Sequence, residues 1–241
     1  MRKSVVINCF PESVDAYKKD HAIVAVDVIR ATTTAVTCVA LGRRCFPVPS
    51  VEAAACLAAR MKNPLLMGEV GGDMPPGFHM NNSPADLELR EDIDRPAILL
   101  SSSGTPLICA AEGAPAVYAA CLRNYSATAA HLAANWPAVA LIGAGTGDEF
   151  REEDQLCCAW IAERLLALGY EPEDSATSDI IRRWSGERVD MIAIGASASY
   201  LRRSRQVRDL KYILSHIDDL DTAYRFARGE LVQEVARSLV A

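Results

Sequence analysis

Ala22-Ile23-Val24-Ala25-Val26-Asp27-Val28-Ile29-Arg30-Ala31-Thr32-Thr33-Thr34-Ala35-Val36-Thr37-Cys38-Val39-Ala40-Leu41-Gly42 changes character once. Its first eight residues form an apolar run interrupted by a single acid, the mark of a strand buried on both faces of a sheet. The remainder places hydroxyls at its start and apolar residues later, and predicts a helix with threonines in its first turn and Gly42 at its C-terminal cap.

The same alternation extends to both sides of this unit. Val5 to Cys9, Cys45 to Val48, Ala97 to Leu100, Ala116 to Ala120 and Ala138 to Ile142 read as strands. Helices are expected over Val51 to Met61, after Pro106, over Ala127 to Asn135 and from Arg151 to Ala167. This pattern predicts an α/β fold, a mostly parallel sheet flanked by helices. From about residue 174 onward the signals turn helical, over Ser175 to Trp184, Val189 to Arg205 and Asp209 to Val240. Met191-Ile192-Ala193-Ile194 reads equally as a strand. With no linker and no internal repeat, a single domain over 1–241 is expected.

At 241 residues, half of them hydrophobic, the chain is long enough to bury a large core. A formal charge of −6 without a basic block argues against nucleic acid or an anionic membrane as partner. No apolar run approaches a membrane span or a secretion signal, so a cytoplasmic protein is expected. The eight cysteines are scattered and contain no Cys-x-x-Cys pair, as for buried thiols of a reduced compartment.

Gly68 to Pro84 carries four glycines, three prolines, two acids, a histidine and two asparagines, and predicts a long ordered loop that forms one wall of a site. Three strand ends contribute further polar groups: Asp27 with Arg30 and Thr32, the Ser101-to-Thr105 turn, and Gly145-Thr146-Gly147-Asp148-Glu149. In open α/β sheets ligands bind beyond the carboxyl ends of strands, so these groups are expected to share one crevice. Asp27 is expected to ligate a hard metal, attack phosphorus or cap the next helix. Arg30 is suited either to grip an oxyanion or to form a salt bridge. Glu149, Glu153, Asp27 and Glu69 could together supply carboxylate oxygens of the kind Mg2+ prefers; the bland alternative for the acids near 150 is compensation of a helix dipole.

Five ordered blocks resemble a known family: Val26-Asp27-Val28-Ile29-Arg30-Ala31-Thr32-Thr33, Gly68-Glu69 with Gly77-Phe78 and Asn82-Ser83-Pro84, Ser103-Gly104-Thr105, Gly145-Thr146 with Glu149-Phe150, and Glu153-Asp154-x-x-Cys157. Together they are similar to the 2-phosphosulfolactate phosphatases. The resemblance implies a Mg2+-dependent phosphatase, a homo-oligomer, acting on the phosphate ester of a 2-hydroxycarboxylic acid. The family's named reaction converts 2-phospho-3-sulfolactate to 3-sulfolactate for coenzyme M synthesis. The alternatives are a divergent member acting on another phosphorylated or phosphonate-bearing acid, and a non-catalytic anion-binding protein. Carried onto this chain, the resemblance makes Asp27, Glu69, Glu149 and Asp154 the catalytic acids, the first three of them also metal ligands. It assigns Arg30, Thr32, Asn82, Ser83, Gly104 and Thr105 to the substrate. The chain departs from the family's usual residues at Val70, His79, Ser103 and Pro106, and lacks the arginines expected at Val70 and Pro106.

Overall fold

The computed structural model describes residues 2–147 and 149–234. Ten strands form one sheet: β1 (Ser4–Asn8), β2 (Ala22–Val26), β3 (Cys45–Val48), β4 (Leu65–Gly68), β5 (Ala97–Leu100), β6 (Ala116–Ala120), β7 (Ala138–Gly143), β8 (Glu171–Pro172), β9 (Ala223–Ala227) and β10 (Glu230–Glu234). The helices are α1 (Val14–Tyr17), α2 (Ala31–Ala40), α3 (Val51–Ala58), α4 (Pro84–Glu88), α5 (Gly104–Ala110), α6 (Tyr125–Asn135), α7 (Glu152–Ala167), α8 (Ser175–Trp184), α9 (Ala196–Arg203) and α10 (Val207–Ser215). No helix among the described residues is long and apolar enough to cross a membrane.

The strand order is β4-β5-β3-β10-β9-β6-β2-β7-β1-β8. Its two ends are parallel blocks, β4-β5-β3 and β6-β2-β7-β1-β8, joined by the antiparallel hairpin β9-β10. Three antiparallel pairings in succession leave the two blocks running in opposite directions. Sheet twist of roughly 20–25° per strand pair, accumulated from β2 across to β5, turns the strand direction by more than about 100°. The twist therefore swings the carboxyl ends of β4 and β5 back towards those of β2 and β7, and the loops after all four strands meet.

Residues alternate between two cores along each central strand, as the pleat requires. Val24 and Val26 of β2 pack with α6, α7 and α8, whereas Ile23 and Ala25 face a core shared by both blocks. That shared core also holds Ala35, Val36 and Cys38 of α2 and Leu107 and Ile108 of α5. Lying between two blocks, α2 is buried from Ala31 to Cys38, so its hydroxyls need partners inside the protein. Thr32 and Thr33 donate back to the carbonyls of Asp27 and Val28, Thr34 donates to that of Arg30, and Thr37 accepts from Arg123. On the outer face of the smaller block, α3 covers Phe46, Val48, Ile98 and Leu100.

The expected alternation of strands and helices is present, as are helices near the C-terminus. The helix expected over Asp209 to Val240 is corrected beyond Ser215. Ala223–Ala227 and Glu230–Glu234 are strands, and residues 235–240 lie outside those described. The local cause is a turn in which Arg228 and Gly229 both have positive φ, 54° and 79°. That turn matches the twist of a tight hairpin. Tyr224, Phe226 and Leu231 then enter the shared core. Val189–Ile194 is a 3-10 helix that leads into α9, so the strand reading of Met191 to Ile194 is not realised.

Because the hairpin joins both blocks, damage to it is expected to be global. Leu231→Ala, at a side chain 1% exposed, should cost about 3 kcal/mol. Urea unfolding followed by fluorescence and circular dichroism should show one shifted transition; two separated transitions would mean that the blocks fold independently.

Candidate active site

Asp27 leaves β2 and turns directly into α2. Its backbone N–H donates to Thr32 Oγ1 (2.9 Å), and its Oδ1 accepts from the Ala31 N–H (3.1 Å). One carboxylate oxygen therefore caps the helix, as an Asp before a helix N-terminus should. The other lies against Gly104, where a side chain's Cβ would run into Asp27 Oδ2 and Ala31 Cβ. Gly104 is thus the residue that lets the turn after β5 close onto the acid.

A cavity of about 430 Å3 opens at this point, and Asp27, Arg30, Glu69, Asn82 and Asp154 line it. Glu69 and Asp154 hold its walls. Glu69 accepts from the Ser102 N–H (2.7 Å), the Ser102 hydroxyl (2.8 Å) and the Gly72 N–H (2.7 Å), fastening the loop after β4 to the turn after β5. Asp154, in the first turn of α7, accepts from the N–H groups of Val28 (2.7 Å) and Ala144 (3.2 Å) and joins the ends of β2 and β7. Ser103 and Thr146 complete the ring through a 2.9 Å hydroxyl contact.

Arg30 is half committed. Its guanidinium pairs with buried Asp209 at 2.6 Å and also donates to Gln206 and Asn81. Asn82 is 2% exposed, and its Oδ1 has no hydrogen-bond partner among the described residues although the side chain lines the cavity. An unsatisfied buried amide oxygen facing an opening is a ready contact for a bound ligand.

Thr32, Ser83, Gly104 and Thr105 support the cavity from behind and are not among its lining residues. Thr32 braces the Asp27 turn, while Thr105 accepts from the Ser101 N–H (2.8 Å). Ser83 caps α4 through Asp86 N–H and donates to Asp209. Glu149 is not brought to this cavity. Its side chain is 80% exposed, 3.6 Å from Arg151, and borders an adjoining space of about 360 Å3. The departures Val70, His79 and Pro106 also lie outside the lining, and His79 is occupied in accepting from the Leu66 N–H. Ser103, in contrast, is in it.

Ser102 and Thr146, on strand-end turns expected to face the crevice, do line the cavity, whereas Arg151, Ser197, Tyr200 and Arg203 in its lining were missed by sequence reasoning. Ser197, Tyr200 and Arg203 come from α9, whose motif-poor sequence carries no site signal. Tyr200 reaches over the loop after β4, with its hydroxyl where a side chain on Gly72 would otherwise stand.

The acids give the site its electrostatic character. Burial pushes Asp27 up from 3.8 to about 7, reinforced by the charges of Glu69 and Glu153 and opposed by Ala31 N–H and Arg30. Burial raises Asp154 well above the usual carboxylate range, with Asp27 and Glu153 adding to the effect. Glu153, 2% exposed, is raised by burial too, and its Oε1 has no partner among the described residues.

This excess of buried negative charge, with an orphaned carboxylate oxygen, fits the chemistry of a hard divalent cation. Among the described residues, no three His, Cys, Asp or Glu groups are gathered to enclose an ion. Mg2+ is commonly held by one or two carboxylates, with water and substrate phosphate oxygens completing its shell. Glu153, which borders the adjoining space of about 360 Å3, is the acid with an oxygen atom free for that role, since Glu69 and Asp154 are engaged with backbone amides and Asp27 Oδ1 caps α2.

Two expectations follow. Gly104→Ala should disrupt the contact with Asp27, lowering the melting temperature and abolishing activity; an active, fully stable Gly104→Ala protein would contradict the packing described. Asp27 binds a proton in the folded state that it releases on unfolding, so its contribution to stability declines as pH rises from about 4 to about 7. Asp27→Asn keeps the Oδ1 acceptor for Ala31 and removes the titrating charge. In chelator-containing buffer it should raise the melting temperature relative to wild type at pH 8 and leave it little changed at pH 4.

Comparison with known proteins adds an independent line. A family model described as 2-phosphosulpholactate phosphatase matches residues 9–228. A protein of Symbiobacterium thermophilum named "Probable 2-phosphosulfolactate phosphatase" is 32% identical over 218 residues, covering 87% of this chain and 92% of its own. Relatives with the same name from Deinococcus radiodurans and Thermus thermophilus are each 33% identical, covering 82% and 75% of this chain and 84% and 78% of theirs. The matched span runs from just after β1 into the hairpin and includes every strand end and loop that reaches the cavity, and on that ground the chain belongs to the 2-phosphosulpholactate phosphatase family.

Proposed function

We propose that this protein hydrolyses the phosphate ester of a small 2-hydroxycarboxylic acid, 2-phospho-3-sulfolactate, to 3-sulfolactate and phosphate, with Asp27 as the proton-transferring group and Mg2+ held by Glu153. The observation that carries the reading is Asp27: a strand-end carboxyl bordering a cavity of small-molecule size, shifted by burial to about 7. A general acid or base works best when its pKa lies near the working pH. The names of the relatives supply the substrate class.

The residues divide the work. Asn82, the hydroxyls of Ser102, Ser103 and Thr146, and the uncommitted N–H groups of Arg30 surround the space in which a phosphoryl group is to be held. Asp27 Oδ2 takes a proton from the attacking water as its oxygen bonds to phosphorus and the ester P–O bond breaks. The departing alkoxide oxygen is then protonated, with Asp27 returning the proton. Bound Mg2+ would supply charge neutralisation of the phosphoryl oxygens. Glu69 and Asp154 act by position: they fix the loops that carry Ser102, Gly72 and the β7 turn.

Purified protein should release phosphate from 2-phospho-3-sulfolactate in the presence of Mg2+ and lose that activity in EDTA. Asp27→Asn should lower kcat at least ~100-fold, the scale of a lost acid–base group. Glu153→Gln should raise the Mg2+ concentration needed for half-maximal rate. If the protein binds such acids without releasing phosphate, and Asp27→Asn changes nothing, an anion-binding role replaces the catalytic one. Trapping of a phosphorylated Asp27 would replace the water mechanism with a covalent one.

A further inference from the structure

We propose that Arg203, the last residue of α9, binds the second acid group of the substrate and sets the preference for a doubly acidic phosphate ester over one that carries a single carboxylate. The inference rests on the phosphatase reading for the phosphate end of the site and concerns the opposite wall. Three arginines line the main cavity: Arg30, Arg151 and Arg203. Arg30 is neutralised by Asp209 in a pair almost entirely removed from solvent, and its N–H groups are partly taken by Gln206 and Asn81. Arg151 lies 3.6 Å from Glu149. Arg203 has no ion pair and no side-chain hydrogen bond among the described residues.

Arg203 is an exposed residue that borders the cavity, and a guanidinium without a carboxylate partner is free to meet a ligand oxyanion, its planar fork matching a carboxylate or sulfonate. The cavity otherwise carries the acids Asp27, Glu69 and Asp154, so a multiply charged substrate needs a cation not already spent on the protein. Val70 and Pro106, where the family resemblance implied arginines, do not line the cavity.

The helix that presents Arg203 is held in place. Ala198 and Leu201 are buried in a small cluster with Leu210, packed against Ile29 next to the catalytic turn. Tyr200 sits against the Gly72 loop, and the Leu201 carbonyl accepts from the Gln206 N–H (2.8 Å) just after α9. Gln206 in turn accepts from Arg30. The helix is thus fastened to both the β2 turn and the β4 loop, and the guanidinium at its end extends from a fixed base.

Steady-state kinetics of wild type, Arg203→Ala and Arg203→Lys on 2-phospho-3-sulfolactate and on 2-phospholactate, which lacks the sulfonate, test this assignment. For Arg203→Ala, KM for the sulfonated ester should rise roughly 10- to 100-fold, the range for loss of a charged hydrogen bond. The ratio of kcat/KM between the two esters should fall by at least about 10-fold, kcat should change much less than KM, and Arg203→Lys should recover part of the ratio. An unchanged ratio overturns the assignment. Calorimetric titration with 3-sulfolactate and with lactate needs no turnover: wild type should bind 3-sulfolactate more tightly, and Arg203→Ala should erase the difference. If wild type hydrolyses neither ester, the phosphatase reading fails and the titration still decides the role of Arg203. Equal binding of the two acids by wild type, or a difference that survives in Arg203→Ala, overturns it.

Discussion

The β9-β10 hairpin is the constraint on which the site depends. Without it, β3 and β6 would be the edges of two separate parallel sheets. With it, the smaller block is reversed relative to the larger and then rotated by sheet twist, until the loop after β4 and the turn after β5 stand over the end of β2. The consequence is visible at Gly104, which lies so close to Asp27 that it has no room for a side chain. A hairpin far along the chain, contributing no cavity residue, thus fixes the distance between groups that precede it by more than a hundred positions.

That convergence concentrates acids in a place where burial makes each of them costly. Asp154 is tolerated because two backbone amides point at it, and Glu69 because three donors do. Asp27 has one such donor on its side chain and Glu153 an oxygen with none, so their charges are the poorly compensated ones. A fold selected for stability alone would neutralise these positions. Their retention as carboxyls makes sense if a positive charge arrives with the reaction, and it divides the acids by physical criterion into those that build the walls and those left free to act.

Much of the scaffold was legible because its signals are local. The run Ala22 to Val26 is continuously apolar, Gly42 and Gly169 stop helices with positive φ, and Ser50 caps α3 by accepting from the Ala53 N–H. The hairpin was illegible for the opposite reason. Ala223 to Glu234 contains few β-branched residues and turns at Arg228-Gly229 rather than at the Asn-Gly or Asp-Gly that announce a tight hairpin. Its strand character comes from insertion between β3 and β6, a tertiary effect. The site divides in the same way. That Asp27, Glu69 and Asp154 line one cavity was readable from the strand-end pattern and the family resemblance, but the use of both oxygens of Glu69 and Asp154 on backbone amides emerges only from three-dimensional contacts. Glu149 stands apart: it belongs to a conspicuous acidic run, yet its side chain is exposed beside Arg151 and outside the main cavity.

The arginines obey the same division between struts and free groups. By sequence, Arg30 is the conspicuous anion ligand, since it stands three residues after Asp27 at the mouth of a helix. Its pairing with Asp209 converts it into a strut between α2 and α10, and Asp209 in addition accepts from Ser83 and from the Ala85 N–H, so the same acid anchors the far end of the long loop. A cation used in that way retains little charge for a ligand, because its field is largely cancelled within the protein. On the proposed reading, the attraction for a multiply anionic substrate must then come from an arginine whose charge is not cancelled, and the fold delivers Arg203 from α9 whereas Arg151 at the start of α7 stands beside Glu149. On that reading, anion recognition in this chain depends less on the residues nearest the reacting centre than on which guanidinium the surrounding ion pairs leave unspent.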